Sequence, residues 1–202
     1  MPDFYYSIKS AAEGLYKEKG SKFIAKAYPV RSEEEISEIL SDLKKTYHDA
    51  RHHCYAWVLG ADRKIYRAND DGEPSNSAGK PILSQLQKHN LTNILVVVIR
   101  YFGGTLLGVG GLINAYRNAT KDALKNTQRV KIFLQTYYQI TYEYPEMNIV
   151  KKKLKNVDAV TVDQRFELNC MIKVRIRKSK MEAFEKSFEP YPGINIQVTD
   201  ED

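Results

Sequence analysis

The chain has 202 residues, 43% of them hydrophobic and 28% charged, with a formal net charge of +6. That length suits two small globular domains, and the composition excludes a disordered, collagenous or disulfide-stapled chain. The longest aliphatic run, Ile94 to Ile99, is far too short to cross a bilayer as a helix, and no basic-then-apolar leader opens the sequence, so no membrane partner is expected.

In chain order, Ile8–Leu15 and Phe23–Val30 flank the charged turn Lys17-Glu18-Lys19-Gly20-Ser21-Lys22, which predicts a β-hairpin. Ser32 is an N-cap with Glu35 at the capping-box position. Ile36, Ile39, Leu40 and Leu43 recur at helical spacing, and Lys44-Lys45 suit the C-terminal end of the helix dipole. Strands follow at Cys54–Leu59 and Lys64–Ala68 around the turn Gly60–Arg63. The polar loop Asn69–Pro81 leads into a helix carrying Ile82, Leu83 and Leu86. The β-branched run Ile94–Ile99 reads as a central buried strand. A glycine-dense loop then feeds a helix with an apolar stripe from Leu112 to Leu124.

Beyond Thr127 the pattern changes. Val130–Tyr144 reads as one strand, Pro145–Lys155 as a helix, Ala159–Asp163 as a strand and Phe166–Arg177 as another, with Cys170, Ile172, Val174 and Ile176 alternating. A helix at Ser179–Phe188 and a strand at Ile194–Thr199 complete βαββαβ, the ferredoxin-like order. The expected domains are therefore 1–130 and 136–202, divided between about Thr127 and Thr136.

Two loops carry the chemistry. Asp70-Asp71-Gly72-Glu73-Pro74 crowds three carboxylates that solvent, a cation or basic neighbours must neutralise. As a plain turn, Gly72 would supply a positive φ and Pro74 the exit. Ser75, Ser77, Ala78 and Gly79 then open a helix whose backbone N–H groups suit an anion. The second loop, Arg100 to Gly111, has five glycines in nine residues (Gly103, Gly104, Gly108, Gly110 and Gly111), bare backbone of the kind that approaches phosphates. It completes neither a phosphate-binding P-loop nor a dinucleotide fingerprint, and its alternative role is tight strand-to-helix packing. Arg100, capping the buried strand beside Tyr101 and Phe102, suits a phosphate or carboxylate; its alternative is to neutralise Asp71 or Glu73 within the fold. His52 and His53 are adjacent, so on a strand they face opposite ways. No nucleophile–base set is evident, and no catalytic residue is assigned. Cys54 and Cys170 form no CxxC and no metal spacing, so neither metal nor cofactor is expected and a reducing cytoplasm is the expected home.

Cys54-Tyr55-Ala56, Asp70–Ser75, Ala78–Leu83, Val96–Gly104, Leu107–Leu112 and Ala115-Tyr116 together resemble the YigZ/IMPACT family, bacterial two-domain branch. The resemblance implies an α/β (α+β) protein: a ribosomal-protein-five domain-two-like N-terminal domain plus a ferredoxin-like C-terminal domain. It also implies a role near translation, since eukaryotic relatives regulate a stress-kinase pathway acting on initiation. The family surface maps onto Asp71, Gly72, Glu73, Pro74, Gly79, Arg100, Tyr101, Phe102, Gly103, Gly104, Gly108, Gly110 and Gly111. Asn76-Ser77 stands where the family usually has glycine-threonine, which would stiffen the loop. Asn114 stands where it often has arginine, which removes a charge.

The expectation is a non-enzymatic binding protein that contacts RNA or ribosomal components, or a ribosome-associated protein, through the Arg100 loop. The alternative is an enzyme for a phosphorylated or carboxylated small molecule, with Asp70, Asp71 and Glu73 as acid–base groups or cation ligands. A third reading is an adaptor whose second domain offers Lys151–Lys153 and Arg175, Arg177 and Lys178 to a protein partner.

Overall fold

The computed structural model describes residues 3–167 and 169–200. The chain divides into two compact units, Tyr5–Ile132 and Met1–Phe4 with Phe133–Asp202. Through the first of them run β1 (Phe4–Ile8), β2 (Ala12–Glu18), β3 (Ser21–Pro29), α1 (Glu33–Thr46), β4 (His52–Leu59), β5 (Ile65–Asn69), α2 (Gly79–Lys88), β6 (Ile94–Tyr101), α3 (Gly108–Lys125) and β7 (Arg129–Phe133). The second continues with β8 (Gln135–Glu143), α4 (Met147–Asn156), β9 (Val160–Arg165), β10 (Asn169–Arg177), α5 (Met181–Lys186) and β11 (Asn195–Thr199).

In the N-terminal unit a five-stranded antiparallel sheet has the order β2-β3-β6-β4-β5. The β-branched run forms β6 at its centre, buried at every position except Tyr101. Period-two alternation gives that strand two apolar faces. Ile94, Val96 and Val98 join Phe23, Ala25 and Ala27 against Ile82 and Leu86 of α2 and Leu112, Tyr116 and Ala119 of α3. Leu95, Val97 and Ile99 join Trp57 and Leu59 against Ile36 and Leu43 of α1. Each buried Val, Leu, Ile or Phe among them stabilises the fold by about 1.5–3 kcal/mol relative to exposure. The N-terminus of α1 forms as its sequence implies: the Glu35 N–H donates to the Ser32 hydroxyl at 3.3 Å. The Glu35 carboxylate turns back to the Arg31 N–H at 2.8 Å, one residue beyond the usual capping-box donor.

The C-terminal unit is ferredoxin-like. Its antiparallel sheet has the order β11-β8-β10-β9. Tyr138, Ile140 and Tyr142 of β8 and Cys170, Ile172, Val174 and Ile176 of β10 bury against Val150 and Leu154 of α4 and Phe184 of α5.

The segment Val130–Tyr144, expected as one strand, is two. Leu134 breaks it, because its N–H donates to the Asp3 carbonyl at 2.7 Å and its carbonyl accepts the Lys178 N–H at 2.8 Å. With that backbone committed elsewhere the ladder cannot continue, and β7 pairs with β1 in a two-stranded ribbon. Both helices of this unit also start late, behind single 3₁₀ turns at Tyr144–Glu146 and Lys178–Lys180.

Since Tyr5–Ile132 carries both apolar faces of its own sheet, the fragment made of those residues should unfold cooperatively by calorimetry. A broad, non-cooperative melt of that fragment beside a sharp one for the whole chain would show that the unit does not fold alone.

Candidate functional site

Each carboxylate of the acidic loop has a partner inside the fold. Asp70 caps α2: its Oδ1 accepts the N–H groups of Ala78 (3.0 Å) and Gly79 (2.8 Å), and its Oδ2 accepts that of Asn76 (2.8 Å). The helix N-terminus expected to hold an external anion is thus filled by an internal one. Ser77 is buried and donates to the Pro74 carbonyl at 2.6 Å. Asp71 accepts the His53 N–H at 2.7 Å, and its own N–H donates to Asn69 Oδ1 at 2.7 Å.

The backbone of this loop needs left-handed residues, with Asp71 at φ 41°, Gly72 at 85° and Asn76 at 62°. Asparagine tolerates that region better than other side-chain-bearing residues, so Asn76 holds the turn without a glycine. The two histidines diverge. His52 Nδ1 lies 2.8 Å from the Asp71 carbonyl and so carries the proton. His53 is 6% exposed, and burial pushes its pKa below the ordinary 6.5 against the pull of Asp71.

Glu73 is the centre of a buried network. Its Oε1 accepts Arg100 Nη1 and the Tyr116 hydroxyl, both at 2.7 Å, and the Arg100 and Glu73 side chains are only 7% and 3% exposed. The Cys54 thiol lies 3.3 Å from the Tyr116 hydroxyl and 2.9 Å from the Asp70 carbonyl. Burial drives the titrations of both Cys54 and Tyr116 upward, so both stay protonated and neutral. The Arg100 guanidinium also lies 5.4 Å from the Phe23 ring centroid and 5.6 Å from that of Phe102. Arg100 thus brackets the acidic loop to the end of β6.

What faces outward is the glycine loop that follows. Phe102 is 51% exposed, Leu106 84% and Val109 53%. Gly104, Gly108 and Gly110 have no atom within 4 Å of where a Cβ would stand. The first turn of α3 has no side-chain cap, which leaves its N–H groups pointing into this loop. Tyr101 differs from its neighbours: it donates to Asp49 at 2.7 Å, a bond that pushes its titration up to about 12.

Gly103 joins the loop to the turn between β2 and β3. A Cβ there would stand 1.9 Å from the Gly20 carbonyl carbon, and its N–H donates to the Ser21 hydroxyl at 3.2 Å. The contact sets the turn that carries the exposed lysines Lys17, Lys19 and Lys22 against the glycine next to Phe102. In β-sheet register Lys17 lies opposite Lys22, and Lys22 opposite Tyr101. In the sequence these lysines read only as hairpin turn residues. Nothing local signals the juxtaposition, which joins glycines some eighty positions apart.

The family model for the Impact N-terminal domain matches residues 19–124. The IMPACT family member YvyE of Bacillus subtilis is 32% identical over 182 residues, which covers 90% of this chain and 84% of that protein. The IMPACT family member YigZ of Escherichia coli is 31% identical over 182 residues, 89% of each. Among solved structures, the crystal structure of a hypothetical protein is 28% identical, superimposes with a TM-score of 0.71, and is covered completely, as is this chain.

Proposed function

We propose, because the chain belongs to the IMPACT family, that it is a non-enzymatic binding protein with a regulatory role linked to translation. It contacts RNA, free or on the ribosome, through the glycine loop and the adjoining β2–β3 turn. The family resemblance supports the link to translation. The observation that carries the surface is the packing of the lysine-bearing β2–β3 turn on Gly103, in the loop that exposes Phe102, Leu106 and Val109. Cations for phosphates next to an aromatic face for an unstacked base are what single-stranded RNA recognition needs. The enzyme reading has less support, since Asp70, Asp71 and Glu73 each hold a group of the fold itself.

The test is RNA binding at two salt concentrations by the full chain and by Lys19→Glu/Lys22→Glu. The double variant should bind at least about tenfold more weakly and lose about two units of salt slope, one for each phosphate contact removed. Its melt should be unchanged, because neither lysine forms an ion pair among the described residues. Equal affinity and equal slope for both proteins would overturn the reading. A ribosome interaction insensitive to the double variant but lost in Leu106→Ser would assign the surface to a protein partner instead.

A further inference from the structure

The far end of α3 carries a second basic feature, distinct from the glycine loop. Residues Gly108 to Lys125 rise about 26 Å along the helix axis, and beside the last turns lies a cavity of about 390 Å³. Ile8, Leu91 and Leu124 make its apolar floor, and Lys88, Lys121, Lys125 and Arg129 stand round it. Among the described residues no Asp or Glu lines it. None of the four cations forms an ion pair among the described residues.

Basic residues near helix C-termini ordinarily offset the dipole, and Lys88 and Lys125 sit in the last turns of α2 and α3. The two dipoles together amount to about one negative charge, whereas four cations gather here, so about three positive charges remain uncompensated. Arg117, Lys121 and Lys125 also repeat at i, i+4 and i+8 along α3, a like-charge row that destabilises the helix. Asp122, the acid in this stretch, is used elsewhere, accepting the Leu15 N–H at 2.9 Å. The Arg129 guanidinium is held over the Tyr6 ring at 3.5 Å, so it is oriented before any ligand arrives.

We propose that this cavity binds a nucleoside phosphate group, free or at the 5′ end of an RNA. The base lies on Ile8, Leu91 and Leu124, and the phosphates lie among Lys88, Lys121, Lys125 and Arg129. An apolar floor with a cationic rim fits an anion with a planar body better than a bare anion, and the volume suits one ring system rather than an acyl chain.

The experiment is equilibrium titration of the full chain with adenosine triphosphate, adenosine, inorganic pyrophosphate, and one oligoribonucleotide with and without a 5′ phosphate. The nucleoside triphosphate should bind saturably and more tightly than either adenosine or pyrophosphate. Lys121→Glu/Lys125→Glu should weaken it roughly tenfold or more, the loss of a charge-assisted hydrogen bond, while the chain still melts cooperatively. Lys19→Glu/Lys22→Glu should leave it unaltered, which separates this site from the loop surface. Tighter binding of the 5′-phosphorylated oligonucleotide than of the triphosphate would identify an RNA end as the source, and the reverse a free nucleotide. No saturation by either at millimolar concentration, pyrophosphate binding as tightly as the triphosphate, or an unaffected Lys121/Lys125 variant would each overturn the proposal.

Discussion

Replacing Glu73 with alanine should lower the free energy of unfolding by about 3–5 kcal/mol, because it strands a buried guanidinium. In the folded chain Glu73 Oε1 takes Arg100 Nη1 and the Tyr116 hydroxyl at 2.7 Å each, with both charged side chains almost fully enclosed. Removing the carboxylate leaves the Arg100 charge with Phe23 and Phe102 as its neighbours. Those rings attract a cation by only about 0.5–2 kcal/mol, less than its lost hydration. Glu73→Gln keeps an acceptor without the charge and should cost less, about 1.5–3 kcal/mol. The diagnostic measurement is the double variant Glu73→Leu/Arg100→Met. With both charges gone no buried charge is unpaired and only the Tyr116 O–H loses its acceptor, so chemical denaturation should show most of the loss recovered. Were Arg100 held for an outside ligand rather than for Glu73, Glu73→Ala would melt close to the parent chain, and that result would sink the bracket.

Much of the fold follows from local pattern. The run Ile94–Ile99 has to be buried on two faces because no polar residue interrupts it, and it is. Ser32 and Glu35 start α1 by capping chemistry confined to a few neighbours. The alternation of Cys170, Ile172, Val174 and Ile176 marks one buried sheet face, and all four residues are in the second core. Illegible features depend on partners distant in sequence. Leu134 reads as mid-strand until its hydrogen bonds to Asp3 and Lys178 are seen. The same holds at the site. The sequence presents three neighbouring acids and one arginine, but which acid takes Arg100 depends on Tyr116 standing behind Glu73, 43 positions away. Asp70 looks like a solvated turn residue and is instead the cap of α2, reaching amides eight and nine positions ahead.

Gly103 shows the same dependence at its sharpest, and one substitution there should be the most damaging in the glycine loop. A Cβ at Gly103 would fall 1.9 Å from the Gly20 carbonyl carbon and 2.1 Å from the Ser21 N, both backbone atoms that no rotamer change can move. Gly103→Ala must therefore push the loop off the β2–β3 turn. Overpacking of a well-fitted contact costs about 1–3 kcal/mol, and a backbone clash this close belongs at or beyond the upper end. The shift would also carry the loop that exposes Phe102 away from the turn that carries Lys19, so RNA affinity should fall along with the melting temperature. Gly110, in the same loop, is the internal control. It sits in the first turn of α3 with nothing within 4 Å of a Cβ, and its φ is not in the left-handed region. There alanine replaces the poorer helix former at no steric cost and should raise stability by up to about 1 kcal/mol. The same change thus has opposite signs at two glycines that sequence alone cannot distinguish. Equal melts for Gly103→Ala and Gly110→Ala would show that the loop does not rest on the turn, and the surface proposed for RNA would lose its geometry.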